Sequence, residues 1–104
     1  MQQIAPCALA SWLRDEPLLL LDVREAWEVA ASAFPDALHV PMREIPARID
    51  GLPVDRPIVC ICHHGARSAQ VALFLQHRGF EQVYNLAGGI DAWAIEVDPT
   101  IPRY

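Results

Sequence analysis

An α/β fold is predicted, with a five-stranded, mostly parallel sheet and helices on both faces. Three observations carry the prediction. Residues 18–21 and 58–62 are short continuous apolar runs, the pattern of strands buried on both faces of a parallel sheet. Between and after these runs stand stretches with apolar residues at helical spacing, so that strand and helix alternate along the chain. The alternation is crowded into 104 residues, 53% hydrophobic and 20% charged, which is the composition of one globular domain spanning 1–104. A chain of this length buries roughly two-thirds of its unfolded surface and holds a core without staples.

Residues 2–4 supply the first strand. Residues 5–13 form a helix, with Pro6 in the first turn and Leu9, Trp12 and Leu13 on one stripe. Cys7, in that first turn, has no basic or Gly-rich partner and reads as a bystander thiol. The strand at 18–22 ends at Asp22, which Glu25 follows three residues later in a loose capping-box pattern opening the helix 25–31. In that reading Asp22 caps and Arg24 pairs with a carboxylate. A second reading puts both on a catalytic face, because the C-terminal ends of strands in α/β sheets converge on the active site.

Residues 38–40 read as a short strand ended by Pro41, with His39 a satisfied or edge histidine and no metal ligand. Residues 42–49 form a helix with Ile45 and Ile49 on one side, and 51–57 a Pro-containing connector. The central strand is 58–62, and Cys60 is a small buried hydrophobe within it. Val71, Ala72, Leu73 and Leu75 suit a helix over 69–76, stopped at Gly79. A last strand at 82–86 leads through Gly88-Gly89 into a helix over 90–95 that packs Trp93 inward. That glycine pair lacks the Lys and the other glycines of phosphate loops, so it reads as a turn. The tail 97–104, with Pro99 and Pro102, is expected to be extended on the surface or against the domain.

Composition excludes several function classes. The net charge is −5, and the eight basic residues are all arginines that form no patch, which argues against nucleic acid or an anionic membrane as partner. No apolar run is long enough to span a bilayer, and no basic segment precedes an apolar one at the N-terminus, so the cytoplasm is the expected compartment. Three cysteines, with Cys60 and Cys62 one residue apart, form neither a disulfide framework nor a CxxC redox pair.

The chemistry concentrates at Cys62-His63-His64-Gly65-Ala66-Arg67-Ser68. A cysteine where a strand ends and a helix begins meets the conditions that stabilise a thiolate: backbone N–H groups turned inward by a glycine, a helix N-terminus and a nearby cation, here Arg67. The same donors would hold a small anionic substrate with an electrophilic atom beside the sulfur.

This loop resembles the active loop of the rhodanese family, a Cys, four residues, Arg or a similar residue, then Ser. Residues 20–25, Leu-Leu-Asp-Val-Arg-Glu, resemble the family's first signature, and residues 86–93, Leu-Ala-Gly-Gly-Ile-Asp-Ala-Trp, its C-terminal one. The three stand in family order and cover the domain. The chain departs from the pattern at 32–37, where Ser-Ala-Phe-Pro-Asp-Ala stands for the family's Gly-His-Ile-Pro-Gly-Ala. The resemblance implies a rhodanese-like fold and a thiosulfate sulfurtransferase. In that chemistry Cys62 takes a sulfane sulfur from thiosulfate or a persulfide donor, carries it as a persulfide, and yields it to cyanide or a thiol. It implies no metal or organic cofactor. Implied partners are the anionic donor and the acceptor, with a sulfur-relay protein as a further possibility.

In the same terms, the backbone of His63, His64, Gly65, Ala66, Arg67 and Ser68 is expected to bind substrate, and Arg67 to orient the anionic donor. His63 and His64 either widen the positive field at low pH, or serve as a solvent-facing loop residue and a hydrogen-bonding spacer. Two rival functions are a Cys-dependent phosphatase or arsenate reductase, whose loops resemble Cys, five residues, Arg, and a non-catalytic binding module. The four-residue spacing here makes a smaller cradle, suited to sulfur.

Overall fold

The apolar runs become the inner strands, and period-two alternation divides them between two cores. A computed structural model describes residues 1–104. Its strands are β1 (Gln2–Ile4), β2 (Leu19–Asp22), β3 (Leu38–His39), β4 (Ile58–Ile61) and β5 (Val83–Leu86), in the order β1-β5-β4-β2-β3 with every neighbouring pair parallel. Leu21, Ile58 and Cys60 point to one face, where α3 (Ile45–Arg48) and α4 (Ala66–His77) add Ile45, Val71, Ala72 and Leu75. Leu20, Val59 and Ile61 point to the other, where α1 (Pro6–Asp15) and α5 (Gly89–Glu96) add Leu9, Ile90 and Trp93. Both faces are thus covered, as a parallel sheet requires. No helix is long and apolar enough to cross a membrane.

Strand order locates the site. The chain leaves β2 outward to β3 and leaves β4 in the opposite direction to β5, so β2 and β4, paired Leu21 to Cys60 and Asp22 to Ile61, flank the point where the winding reverses. Ligands in open α/β sheets bind in the crevice at the C-terminal ends of such strands. Asp22 and Cys62 stand at those two ends.

Several local expectations are corrected. Residues 42–49 are not one helix but a 3-10 turn (Met42–Glu44) and α3, followed by a second 3-10 turn (Ile49–Gly51). Pro46 has no N–H to bond one turn back and takes a first-turn place, so the α-helical part starts at Ile45. The central strand stops at Ile61, one residue before Cys62, whose carbonyl leaves the ladder for the Ile90 N–H at 2.9 Å. Asp22 does not cap α2 (Ala26–Ala31). The N-cap is Glu25, whose N–H donates to Glu28 Oε1 at 3.1 Å, while Asp22 is engaged by Arg24. At the departure from the family pattern, Asp36 has φ +62 and occupies the place of the family's second glycine. Asp tolerates that left-handed backbone better than most residues.

Candidate active site

Two glycines shape the loop after β4. Gly65 takes φ +107, a backbone rarely adopted by residues with a Cβ, and its N–H donates to Cys62 Sγ at 3.0 Å. It also begins α4 at Ala66, three residues earlier than the apolar spacing predicts, which carries Arg67 and Ser68 into the first helical turn. The N–H groups of Ala66, Arg67 and Ser68 therefore have no carbonyl one turn back and stand unpaired at the helix mouth.

Gly89 does more than the turn expected of it. The first turn of α5 packs directly on the loop backbone, with the Ile90 N–H donating to the Cys62 carbonyl at 2.9 Å and the Asp91 N–H to the His63 carbonyl at 3.2 Å. A Cβ on Gly89 would lie 2.3 Å from the His63 oxygen and 2.5 Å from the Cys62 oxygen, so only glycine permits this approach. Across each trans peptide the N–H opposes the carbonyl. Directing these two carbonyls at α5 therefore turns the His63 and His64 N–H groups the other way.

Ser68 adds a second donor. Its Oγ lies 3.2 Å from Cys62 Sγ and also hydrogen-bonds Asn85 Oδ1. One hydroxyl proton cannot serve both acceptors. With a neutral thiol it goes to Asn85, leaving the oxygen to accept from S–H; with a thiolate it turns to the sulfur. Asn85 is held by donating to the Gly65 carbonyl at 3.1 Å and to Gln3 Oε1 at 3.0 Å. Asn85 is not among the residues the sequence points to. Its only signal was a polar residue on an otherwise buried strand.

The other cysteines do not share this setting. Burial, with a smaller contribution from the charge of Cys62, pushes the Cys60 thiol up to about 12, so it stays protonated inside β4. Cys7 is exposed at the start of α1.

Arg67 is not placed as expected. Its guanidinium makes a bidentate pair with Glu28, Nη1 to Oε1 at 2.6 Å and Nη2 to Oε2 at 2.8 Å, so its fork is already filled by a carboxylate. The pair holds Glu28 at about 2, well below the usual 4.5, with the Arg67 hydrogen bond as the main cause, and Cys62 acts on Arg67 only through longer-range charge. Glu28 also accepts from the Tyr104 hydroxyl at 2.7 Å, and that oxygen accepts from Arg24 Nη1 at 3.0 Å. Arg24 is fully buried and is gripped by Asp22 through Nε at 2.9 Å and Nη2 at 2.7 Å, and by the Ser32 carbonyl at 2.7 Å. One continuous network, Asp22–Arg24–Tyr104–Glu28–Arg67, thus ties the end of β2 to the first turn of α4. Asp22 and Arg24 thus brace the end of β2 against the loop that follows β4. His39 is satisfied, its Nε2 lying 2.7 Å from the Arg24 carbonyl oxygen.

His63 is not the solvent-facing loop residue of the second reading. His63 is half-buried, stacked between His64 at 3.9 Å and Tyr104 at 4.0 Å, and burial pulls its ionisation below the ordinary 6.5. That burial disfavours the cation of His63. The His64 side chain is 66% exposed, and its closest ionic neighbour is Asp91 at 4.0 Å.

The comparisons with known proteins agree with this geometry. Residues 6–96 match the model of the Rhodanese-like domain family. The chain belongs to that family. A protein named Sulfurtransferase from Allochromatium vinosum is 47% identical over 79 residues, covering 76% of this chain and 74% of the relative. Thiosulfate sulfurtransferase GlpE of Pseudomonas savastanoi pv. phaseolicola is 34% identical over 88 residues, 85% of this chain and 83% of its own. Among solved structures, a rhodanese-related protein from Thermoplasma volcanium superposes with a TM-score of 0.87 at 27% identity, covering all of both chains. These relatives support sulfur transfer of the rhodanese type at the level of the family.

Proposed function

We propose that this rhodanese-like domain is a sulfurtransferase working through a Cys62 persulfide. The observation that carries the reading is the convergence on Cys62 Sγ of the Gly65 N–H at 3.0 Å and the Ser68 hydroxyl at 3.2 Å, at the N-terminus of α4. Such donors stabilise a thiolate in the first state and the terminal sulfur of a persulfide in the second. With thiosulfate, the Cys62 thiolate forms a bond to the outer sulfur while the S–SO3 bond breaks, and its electron pair leaves on sulfite. With a persulfide donor, the same attack releases a thiolate. In the second half, cyanide or a thiolate attacks the terminal sulfur and returns Cys62 as thiolate, so no external oxidant or reductant enters.

The residues 63–68 contribute backbone N–H groups and the Ser68 hydroxyl, while Arg67 acts through Glu28 on the placement of the first turn. A reducing, cytoplasmic setting belongs to the same proposal. The test is the intact mass of the purified protein after incubation with thiosulfate and, separately, with an organic persulfide. A gain of one sulfur atom on Cys62, reversed by cyanide, is expected. No gain from either donor would overturn the reading.

A further inference from the structure

We infer that Glu28 is a specificity-determining residue that makes the site prefer an organic persulfide, R–S–SH, over dianionic thiosulfate, because its carboxylate occupies the Arg67 fork beside Cys62. The inference rests on the sulfurtransferase reading and names its donor class.

Every arginine around the loop has a carboxylate partner. Arg67 has Glu28 at 2.6 Å, Arg24 has Asp22 at 2.7 Å, Arg103 has Asp91 at 2.8 Å and Arg43 has Glu25 at 2.7 Å. Burial pulls the His63 ionisation below its ordinary value, which disfavours a cation there. A dianion entering this site meets backbone N–H groups but no uncompensated cation.

Nor is Arg67 free to swing onto the donor. The Glu28 side chain is only 4% exposed, and Glu28 takes four donors: the two Arg67 nitrogens, the Tyr104 hydroxyl and the Glu25 N–H. Withdrawing the guanidinium would leave a buried carboxylate without its counter-charge, which costs more than an exposed contact with thiosulfate returns.

The surroundings favour a donor with a carbon body. His64, His63, Tyr104 and Trp27 form a row of rings with successive centroid separations of 3.9, 4.0 and 6.0 Å. The row includes His63, the residue next to Cys62, and ends at Trp27, which is 66% exposed. An aromatic ledge of this kind offers contact area to an organic substituent and nothing to sulfite. In the transfer, the Cys62 thiolate bonds to the outer sulfur of R–S–SH, the inner S–S bond breaks with its electron pair going to R–S⁻, and the proton stays on the transferred sulfur.

The experiment measures kcat/KM for thiosulfate, for benzyl persulfide and for a persulfidated cysteinyl peptide, in wild type, in Glu28→Gln and in the double variant Glu28→Gln/Arg67→Gln. Wild type should favour at least one persulfide over thiosulfate, and which of the two leads tells a small donor from a peptide-borne one. Glu28→Gln uncovers the Arg67 charge and should raise the thiosulfate-to-persulfide ratio by about tenfold or more, the scale of a charge-assisted contact. That gain should shrink as salt rises, a response that a merely structural defect would not show. The double variant replaces the ion pair by a neutral amide pair and should return the ratio to that of wild type, which keeps the inference open to refutation even if Glu28→Gln alone folds poorly. A wild type that prefers thiosulfate, an unchanged ratio in Glu28→Gln, or a collapsed thiosulfate rate in the double variant would overturn the inference while leaving sulfur loading of Cys62 intact. Failure of all donors to load Cys62 would overturn the sulfurtransferase reading with it.

Discussion

Replacing Gly89 by alanine tests whether the α5 contact builds the sulfur site. The added Cβ would stand 2.3 Å from the His63 carbonyl oxygen and 2.5 Å from that of Cys62, both backbone atoms that no rotamer change can move aside. The left-handed φ of +64 also costs an alanine about 1 kcal/mol. Separating α5 from the loop loses two hydrogen bonds, at 2.9 and 3.2 Å, each with a net worth of about 1 kcal/mol. Together these give a destabilisation of about 3 kcal/mol, a fall in Tm on the order of 10–20 °C for a domain of this size. Freed of its two anchors, the loop should also lose the alignment of the Gly65 N–H on Cys62 Sγ, and alkylation of Cys62 at neutral pH should slow by about tenfold. Two controls separate stability from chemistry. In Gly88→Ala the Cβ meets the Ala92 side chain at 2.5 Å and not the loop, so stability should fall with a smaller loss of Cys62 reactivity. In Gly51→Ala nothing lies within 4 Å, and neither quantity should change. Urea unfolding and iodoacetamide kinetics on the folded variants provide the readouts. Wild-type stability and reactivity in Gly89→Ala would refute the argument.

Cys62→Ser should abolish sulfur loading, while Cys60→Ala and Cys7→Ala should retain it, as read by intact mass; loading of Cys62→Ser would move the nucleophile elsewhere. Ser68→Ala removes the hydroxyl 3.2 Å from the sulfur and should slow Cys62 alkylation at neutral pH by about two- to tenfold, the effect of one hydrogen bond, with little change in Tm. Because Glu28 ionises at about 2 in the folded chain against 4.5 ordinarily, its contribution of about 3 kcal/mol is fully present above pH 4.5 and is lost as pH falls from 4.5 toward 2. Glu28→Gln should flatten that part of the acid-unfolding profile, and an unaltered profile would mean the Arg67 pair contributes nothing to stability. Wild-type protein should show little hydrolysis of a small aryl phosphate, since only four residues separate Cys62 from Arg67; phosphatase turnover exceeding sulfur transfer would reverse the choice of reaction.

What the sequence determined by itself was the local and the periodic. Apolar runs at 18–21 and 58–62 specified inner strands because burial on both faces disfavours polar positions, and Gly65 after Cys62 announced a turn that would aim N–H groups at sulfur. These readings need only neighbours in the chain. Tertiary structure decided which distant groups meet them. Arg67 is bound by Glu28, 39 residues away, and Glu28 by Tyr104, 76 residues away; Asn85 reaches Ser68 across 17 residues and Gln3 across 82. The sequence shows a cation beside a cysteine, but whether that cation is free depends on which carboxylate is buried against it. The parallel sheet order and the reversal between β2 and β4 bring the end of one strand, the first turn of one helix and Tyr104 to a single place, and there the Arg67 guanidinium is paired with Glu28.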